Sequence, residues 1–322
     1  MNNITELKQE SEIWAHNLTK IYGKGESAVN AVKGIDLIMK PGVHGFLGPN
    51  GAGKTTTMNM LIGAISITKG SAFIKGKKAG SIEARKRIGF LPQNPKFDKN
   101  MTGEEYLTFI GQMSGLKKNY SRKRAQELLF ELDLWDARMR KIKNYSGGMQ
   151  QKIGLASVLV RTPDLLILDE PTANLDPIGR EQIINTIKEI SSNISIFVSS
   201  HILSEIEQMC DTVTIINKGK VVLSDKIENV KRLFKGDIYI LNTDKNERII
   251  QKLTKLDFVL RARIDENDNK IHIITSDLEL AKKAIPKLVI ENDGVLQEFS
   301  QPELSLQEIF MKIIEEGGTS EE

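Results

Sequence analysis

Residues 48–55 read GPNGAGKT, a run that fits G-x-x-x-x-G-K-[ST]. Its chemistry is that of a phosphate cradle. Glycines let consecutive backbone N–H groups turn toward one centre, and a helix starting there adds positive partial charge. Gly48, Pro49, Asn50, Gly51, Ala52 and Gly53 form the loop, and Lys54 supplies a full charge for β- and γ-phosphates. Thr55 offers a hydroxyl oxygen to Mg²⁺, a hard cation that prefers oxygen. With glycine at about 7% of residues, a chain this long meets the pattern by accident on the order of one time in a hundred. Nucleotide binding follows.

A second constellation sits further on. Residues 165–168 form the apolar run LLIL, which ends in Asp169 and Glu170. A strand buried on both faces reads this way, and ligands of open α/β sheets bind at its carboxyl end. There the strand directs the two carboxylates to opposite faces. Asp169 is set to hold a Mg²⁺ shell through water, and Glu170 to take a proton from the water attacking the γ-phosphate. A further strand pattern, 194–198, runs through Ser199 and Ser200 to His201, which reads as a γ-phosphate contact. Gln93, in GFLPQNP, follows another apolar run and by itself says little. YSGGM at 145–149 brings backbone amides and the Ser146 hydroxyl close to an anion, yet the chain already holds a phosphate cradle elsewhere.

The elements that must position these residues are legible as well. An apolar strand pattern at 43–47 runs into the loop, and a helical pattern with Met58, Leu61, Ile62 and Ile65 leaves it. That strand–loop–helix order is the context the motif needs. Between Gln93 and Tyr145 lies a helical insert. Thr102 and Glu105 form a capping box for a helix carrying Tyr106, Phe109, Ile110 and Met113, and Ser121 is expected to start a second with Ala125, Leu128, Leu129 and Leu132. Residues 212–216 and 221–223, joined across NKGK, read as a closing hairpin.

Together these pieces resemble the ATP-binding cassette family, the nucleotide-hydrolysing subunits of ABC transporters. The match covers roughly residues 12–225, with the family's landmarks in the family's order: Tyr22, GPNGAGKTT, Gln93, YSGGM, LLILDE, ANLD at 173–176, and His201. YSGGM departs from the more frequent L-S-G-G-Q but keeps Ser146, Gly147 and Gly148. The resemblance implies an α/β P-loop NTPase cassette with a mixed, mainly parallel sheet and a helical subdomain at about 100–150. It implies ATP and Mg²⁺ as cofactors, Tyr22 stacked on adenine, Thr56 extending the phosphate cradle and Gln93 joining Thr55 and Asp169 around the metal. It also answers what YSGGM is for. In the family, Ser146–Gly148 would lie across a head-to-tail dimer and touch the γ-phosphate on the other subunit's P-loop. Two such patches, paired reciprocally, give two composite sites. The implied partners are a second copy or a closely related cassette, and integral membrane permease subunits. Residues 95–101 with the first insert helix are the expected docking surface. The alternative is a cassette ATPase without a permease, acting on DNA or ribosomes; such relatives carry coiled coils, zinc modules or tandem cassettes, and this chain has one P-loop, no sustained heptads and one cysteine.

After residues 231–235 the texture changes. Strand and helix patterns follow in the order β-α-β-β-α-β through residue 299, which predicts a small α+β domain of ferredoxin-like order. The expected domains are therefore 1–230 and 231–322. A final helix is expected from the capping box of Ser305 and Glu308, with Leu306, Ile309, Phe310, Ile313 and Ile314 on one side.

Bulk composition narrows the rest. The 322 residues are 40% hydrophobic and 27% charged, with a formal charge of +3. That excess is dispersed, so no direct nucleic-acid contact is expected. The lysines and arginines at 117–118, 122–124 and 138–143 read as solvated helix faces. The single cysteine, Cys210, allows no internal disulfide and no cysteine-based zinc site. Neither a signal-peptide core nor an apolar run of about 20 residues is present, so a cytoplasmic protein is expected, peripheral on the inner face of the cell membrane through the permease.

Overall fold

The computed structural model describes residues 9–233, 238–265 and 268–301. The chain divides into two compact units between Ile227 and Glu228.

The first unit is built on two sheets. One comprises β1 (Ile13–Tyr22), β2 (Val29–Met39), β4 (Lys69–Ile74) and β5 (Lys77–Lys78), antiparallel in the order β2-β1-β4-β5. The other contains β3 (Val43–Leu47), β6 (Ile88–Leu91), β7 (Leu165–Asp169), β8 (Ser195–Ser200), β9 (Thr212–Asn217) and β10 (Lys220–Lys226). Its order is β10-β9-β3-β8-β7-β6, parallel throughout except for the β9–β10 hairpin. Every residue of β3 and β7 is buried, as strands covered on both faces require. Phe46 and Phe197 meet at 5.3 Å between ring centroids, and Met58 and Leu61 of the helix Lys54–Leu61 close over that core. The hairpin turns on Lys218 and Gly219, both at positive φ.

The insert holds the helices Gly103–Met113 and Lys118–Glu131. The first carries both arms of its capping box: Glu105 N–H donates to Thr102 Oγ1 at 3.3 Å, and Thr102 N–H to Glu105 Oε2 at 2.8 Å. Its expected apolar stripe is split, with Tyr106 and Leu107 buried and Phe109 and Met113 exposed. Ser121 does not start the second helix. It lies one turn inside, buried, and its hydroxyl donates to the Lys117 carbonyl at 3.1 Å, a local bond that a helix interior also permits. Residues 138–143 likewise depart from expectation: 138–141 lie between two short 3₁₀ turns and 142–143 open the second, so none is on an α-helix face.

The second unit follows the expected order: β11 (Ile238–Thr243), helix Asn246–Leu253, β12 (Val259–Ile264), β13 (Ile271–Thr275), helix Leu278–Glu291 and β14 (Leu296–Ser300). Its antiparallel sheet, β12-β13-β11-β14, places the first strand between the third and fourth, the ferredoxin-like arrangement. Leu241, Ile271 and Ile273 pack against Ile249, Leu253, Ile285 and Val289 of the two helices. The expected helix at 305–314 lies outside the described residues. Among the described residues no helix is long and apolar enough to cross a membrane.

Candidate functional site

Strand β3 delivers the chain to residue 48, where only glycine fits: an added Cβ would stand 2.3 Å from the Ile216 carbonyl oxygen. Gly51 and Gly53 take φ of +80° and +110°, a region that side chains rarely enter. Gly53 then begins the helix Lys54–Leu61 without any side-chain cap, which leaves the first-turn N–H groups free for an anion. Lys54 is 5% exposed; its ammonium donates to the Gly48 carbonyl at 2.7 Å and the Pro49 carbonyl at 3.2 Å.

Opposite it stands Glu170. Strand β7 stops at Asp169, and Glu170 takes φ +46°, so the two carboxylates are not successive residues of one strand directed to opposite faces, as expected. The left-handed turn aims the Glu170 side chain at Lys54, with Oε1 3.1 Å from the ammonium. Such a backbone is costly for a residue with a Cβ and persists where its surroundings enforce it. Here Ser199 on β8 does so: its hydroxyl donates to Asp169 Oδ1 at 2.6 Å and accepts from Glu170 N–H at 2.9 Å. The other Glu170 oxygen, Oε2, accepts from Gln93 Nε2 at 3.1 Å and lies 3.1 Å from His201 Nδ1. Three expected site residues, Lys54, Gln93 and His201, thus meet at the carboxylate of a fourth.

The cleft between them holds about 350 Å³ and is walled by Ala31, Asn50, Gly51, Gly53, Thr55, Thr56 and Gln93 as well as Lys54 and Glu170. Its residues fit a nucleoside triphosphate with Mg²⁺: uncapped N–H groups and a buried ammonium for phosphate, and hydroxyl and amide oxygens from Thr55 and Gln93 for a hard cation, with the Asp169 carboxylate buried at the end of β7 and outside the cleft wall.

The remaining expected residues lie off this cleft. Tyr22 ends β1 with its ring 41% exposed and the Lys20 ammonium 5.1 Å from the ring centre. Ser146 caps the helix Gly147–Leu159 by accepting from Met149 N–H at 3.3 Å. Gly147 faces a separate recess shared with Gln93 and residues 173–175. Gln150, behind the methionine of YSGGM, donates its amide to the Tyr145 carbonyl at 3.1 Å.

Sequence reasoning missed Ser199, which fixes the Asp169 carboxylate and the Glu170 backbone, and Glu205, a buried carboxylate bonded to Ser200. The polarity of Ser199 at the end of an otherwise apolar run was the available signal; Glu205 gave none.

The family profile described as "ABC transporter" matches residues 32–173, and the profile of the ATP-binding protein DrrA1-3-like C-terminal domain matches 226–314. The bacitracin transport ATP-binding protein BcrA of Bacillus licheniformis is 35% identical, over 94% of this chain and 97% of that protein. The linearmycin resistance ATP-binding protein LnrL of Bacillus subtilis is 34% identical, over 86% of this chain and 89% of its own. Among solved structures, the dimeric bacterial cassette MJ0796 aligns at a TM-score of 0.61 and 26% identity, covering 67% of this chain and 98% of that one. The cbiO1 subunit from Clostridium perfringens, part of the transporter complex cbiONQ, aligns at 0.63 and 25%, covering 76% and 95%. A P-loop facing a buried glutamate, a signature glycine that lines a recess other than the Lys54 cleft and near full-length likeness to transport ATPases lead to one assignment: the chain belongs to the ATP-binding cassette family, as an ATP-binding subunit of the exporter type with a DrrA-like C-terminal domain.

Proposed function

We propose that the chain hydrolyses ATP as a head-to-tail pair, with a second copy or a close relative, and drives a separate integral membrane permease from the cytoplasmic face of the membrane. The observation that carries the reading is the Glu170 carboxylate, held 3.1 Å from the Lys54 ammonium and from Gln93 and His201.

Each task follows from where the side chain is held. Lys54 shares its charge between two carbonyls and Glu170, and a γ-phosphate competes for the same ammonium. Glu170 takes the proton of a water whose oxygen bonds to the γ-phosphorus while the bond to the β–γ bridging oxygen breaks, leaving ADP with the electron pair. His201 orients the base through Nδ1 and contacts the γ-phosphate. Thr55, Gln93 and Asp169 would hold Mg²⁺, which supplies charge neutralisation on the phosphates. Tyr22 stacks on adenine. Ser146, Gly147 and Gly148 complete the other chain's site, in keeping with none of the three lining the Lys54 cleft of their own chain. Residues 95–101 with exposed Phe109 and Met113 offer the permease a contact surface.

Glu170→Gln keeps the shape and removes the base. Turnover should fall by about 10²–10⁴-fold with ATP binding retained, and an ATP-held dimer should accumulate. Near-normal turnover in this variant excludes Glu170 as the base.

A further inference from the structure

Two loop feet and a helix arginine converge on one carboxylate that the reaction described above does not use. Glu205, on the helix Leu203–Met209, is 2% exposed. Its Oε2 accepts from Ser200 Oγ at 2.6 Å and from Thr172 Oγ1 at 2.8 Å, and Oε1 lies 3.5 Å from Arg180 Nε. A charge so buried persists only where hydrogen bonds and a counter-charge offset its desolvation. Here the hydrogen bonds, all to Oε2, come from the loop ends after β7 and β8, and the counter-charge from Arg180 on the helix Pro177–Ser191.

Ser200 is the link to His201. Its oxygen accepts from Ile202 N–H at 2.9 Å, so His201 is the middle residue of a turn closed by that hydroxyl. A hydroxyl has one proton, and the 2.6 Å contact spends it on Glu205, which turns the lone pairs toward Ile202. Thr172 stands at the foot of residues 173–176, and Leu175 in that loop packs on YSGGM: a Cβ added at Gly147 would lie 3.2 Å from its side chain. Glu205 therefore grips the histidine turn with one contact and the loop under the signature with another.

We propose that Glu205 is a positioning residue for hydrolysis: by fixing the Ser200 hydroxyl and Thr172 it holds His201 against Glu170 and ties that pair to the loop beneath YSGGM. The inference rests on the roles given to Glu170 and His201 above. It predicts a loss of turnover without a loss of nucleotide binding: among the described residues no hydrogen bond or ion pair joins Glu205 to Lys54 or its loop, and the loop's tie to this cluster, Gly48 N–H to the Ser200 carbonyl at 3.3 Å, is a backbone bond that needs no Glu205 side chain.

A double-mutant cycle tests it, with single-turnover hydrolysis of labelled ATP and equilibrium nucleotide binding measured on the full chain. Glu205→Ala should lower the rate by about 10–100-fold and leave nucleotide affinity unchanged. In a His201→Ala background the same change should cost little more, because both lesions act through one group. Equal fold-losses in the two backgrounds, or affinity falling in step with rate, overturn the proposal. If Glu205→Ala does not fold, Ser200→Ala removes only the linking hydroxyl and enters the same cycle with the same expectation; unchanged turnover in Ser200→Ala also overturns it. A His201→Ala enzyme with full turnover removes the histidine's own role, and the inference with it, whereas slow His201→Ala with additive Glu205 losses removes the inference alone.

Discussion

His44 sits in β3, one strand residue before Gly45 on the path into the phosphate loop, and is 3% exposed. Its two ring nitrogens meet Thr212 Oγ1 at 2.9 Å and Thr214 Oγ1 at 2.8 Å, and Phe197 lies against its face at 5.7 Å. A neutral imidazole donates once and accepts once here, with both needs met. Burial penalises the imidazolium and pushes the pKa from 6.5 down to about 4. Between those values the unfolded chain binds a proton that the folded chain refuses, so stability falls as pH falls. The contribution is fully present above pH 6.5 and is lost as pH drops through about 4. At about 1.4 kcal/mol per pH unit the full loss is about 3 kcal/mol, of which about 2 kcal/mol falls between pH 7 and pH 5. Urea unfolding followed by tryptophan fluorescence reads this unit alone, because Trp14 and Trp135 both precede the division at Ile227. His44→Gln should flatten the pH dependence by that amount relative to the unsubstituted protein. Parallel pH curves for the two proteins would refute the argument from burial.

Two further outcomes are expected. Gly48→Ala drives a Cβ against the Ile216 carbonyl, costing about 1–3 kcal/mol of overpacking; nucleotide affinity should fall, measured by fluorescent-nucleotide titration, and wild-type affinity would contradict the packing argument. A chain truncated after residue 230 should fold and bind ATP with unchanged affinity, by circular dichroism and calorimetry; loss of solubility and binding together would mean that residues 231–322 share the cassette's core.

How much of this was legible in the sequence depended on whether a signal was local. The phosphate loop, the capping box at Thr102 and the buried strands β3 and β7 are written in contiguous residues, and the structure follows them closely. The six-element order of the second unit was equally readable, because each strand and helix of 5–14 residues carries its own period. The start of the second insert helix was misread because Ser121, a good cap by type, satisfies its hydroxyl just as well inside the helix. The left-handed turn at Glu170 was not legible. It depends on Ser199, 29 residues away, bonding the backbone on one side and Asp169 on the other. Glu205 was hidden for the same reason, since its partners Thr172 and Ser200 come from separate strand ends.

The most direct test of the shared-site claim uses two inactive proteins. Lys54→Ala destroys a chain's own phosphate cradle, and Ser146→Arg destroys the signature it lends to its partner. Each homodimer then carries a lesion in both sites. A mixed dimer carries one intact site, made from the cradle of the Ser146→Arg chain and the signature of the Lys54→Ala chain, and one doubly broken site. Mixed dimers, verified with differently tagged chains, should retain labelled ATP through gel filtration well above either parent. Mixed dimers that hold no more ATP than the parents would mean that YSGGM serves its own chain, and the shared site would be wrong.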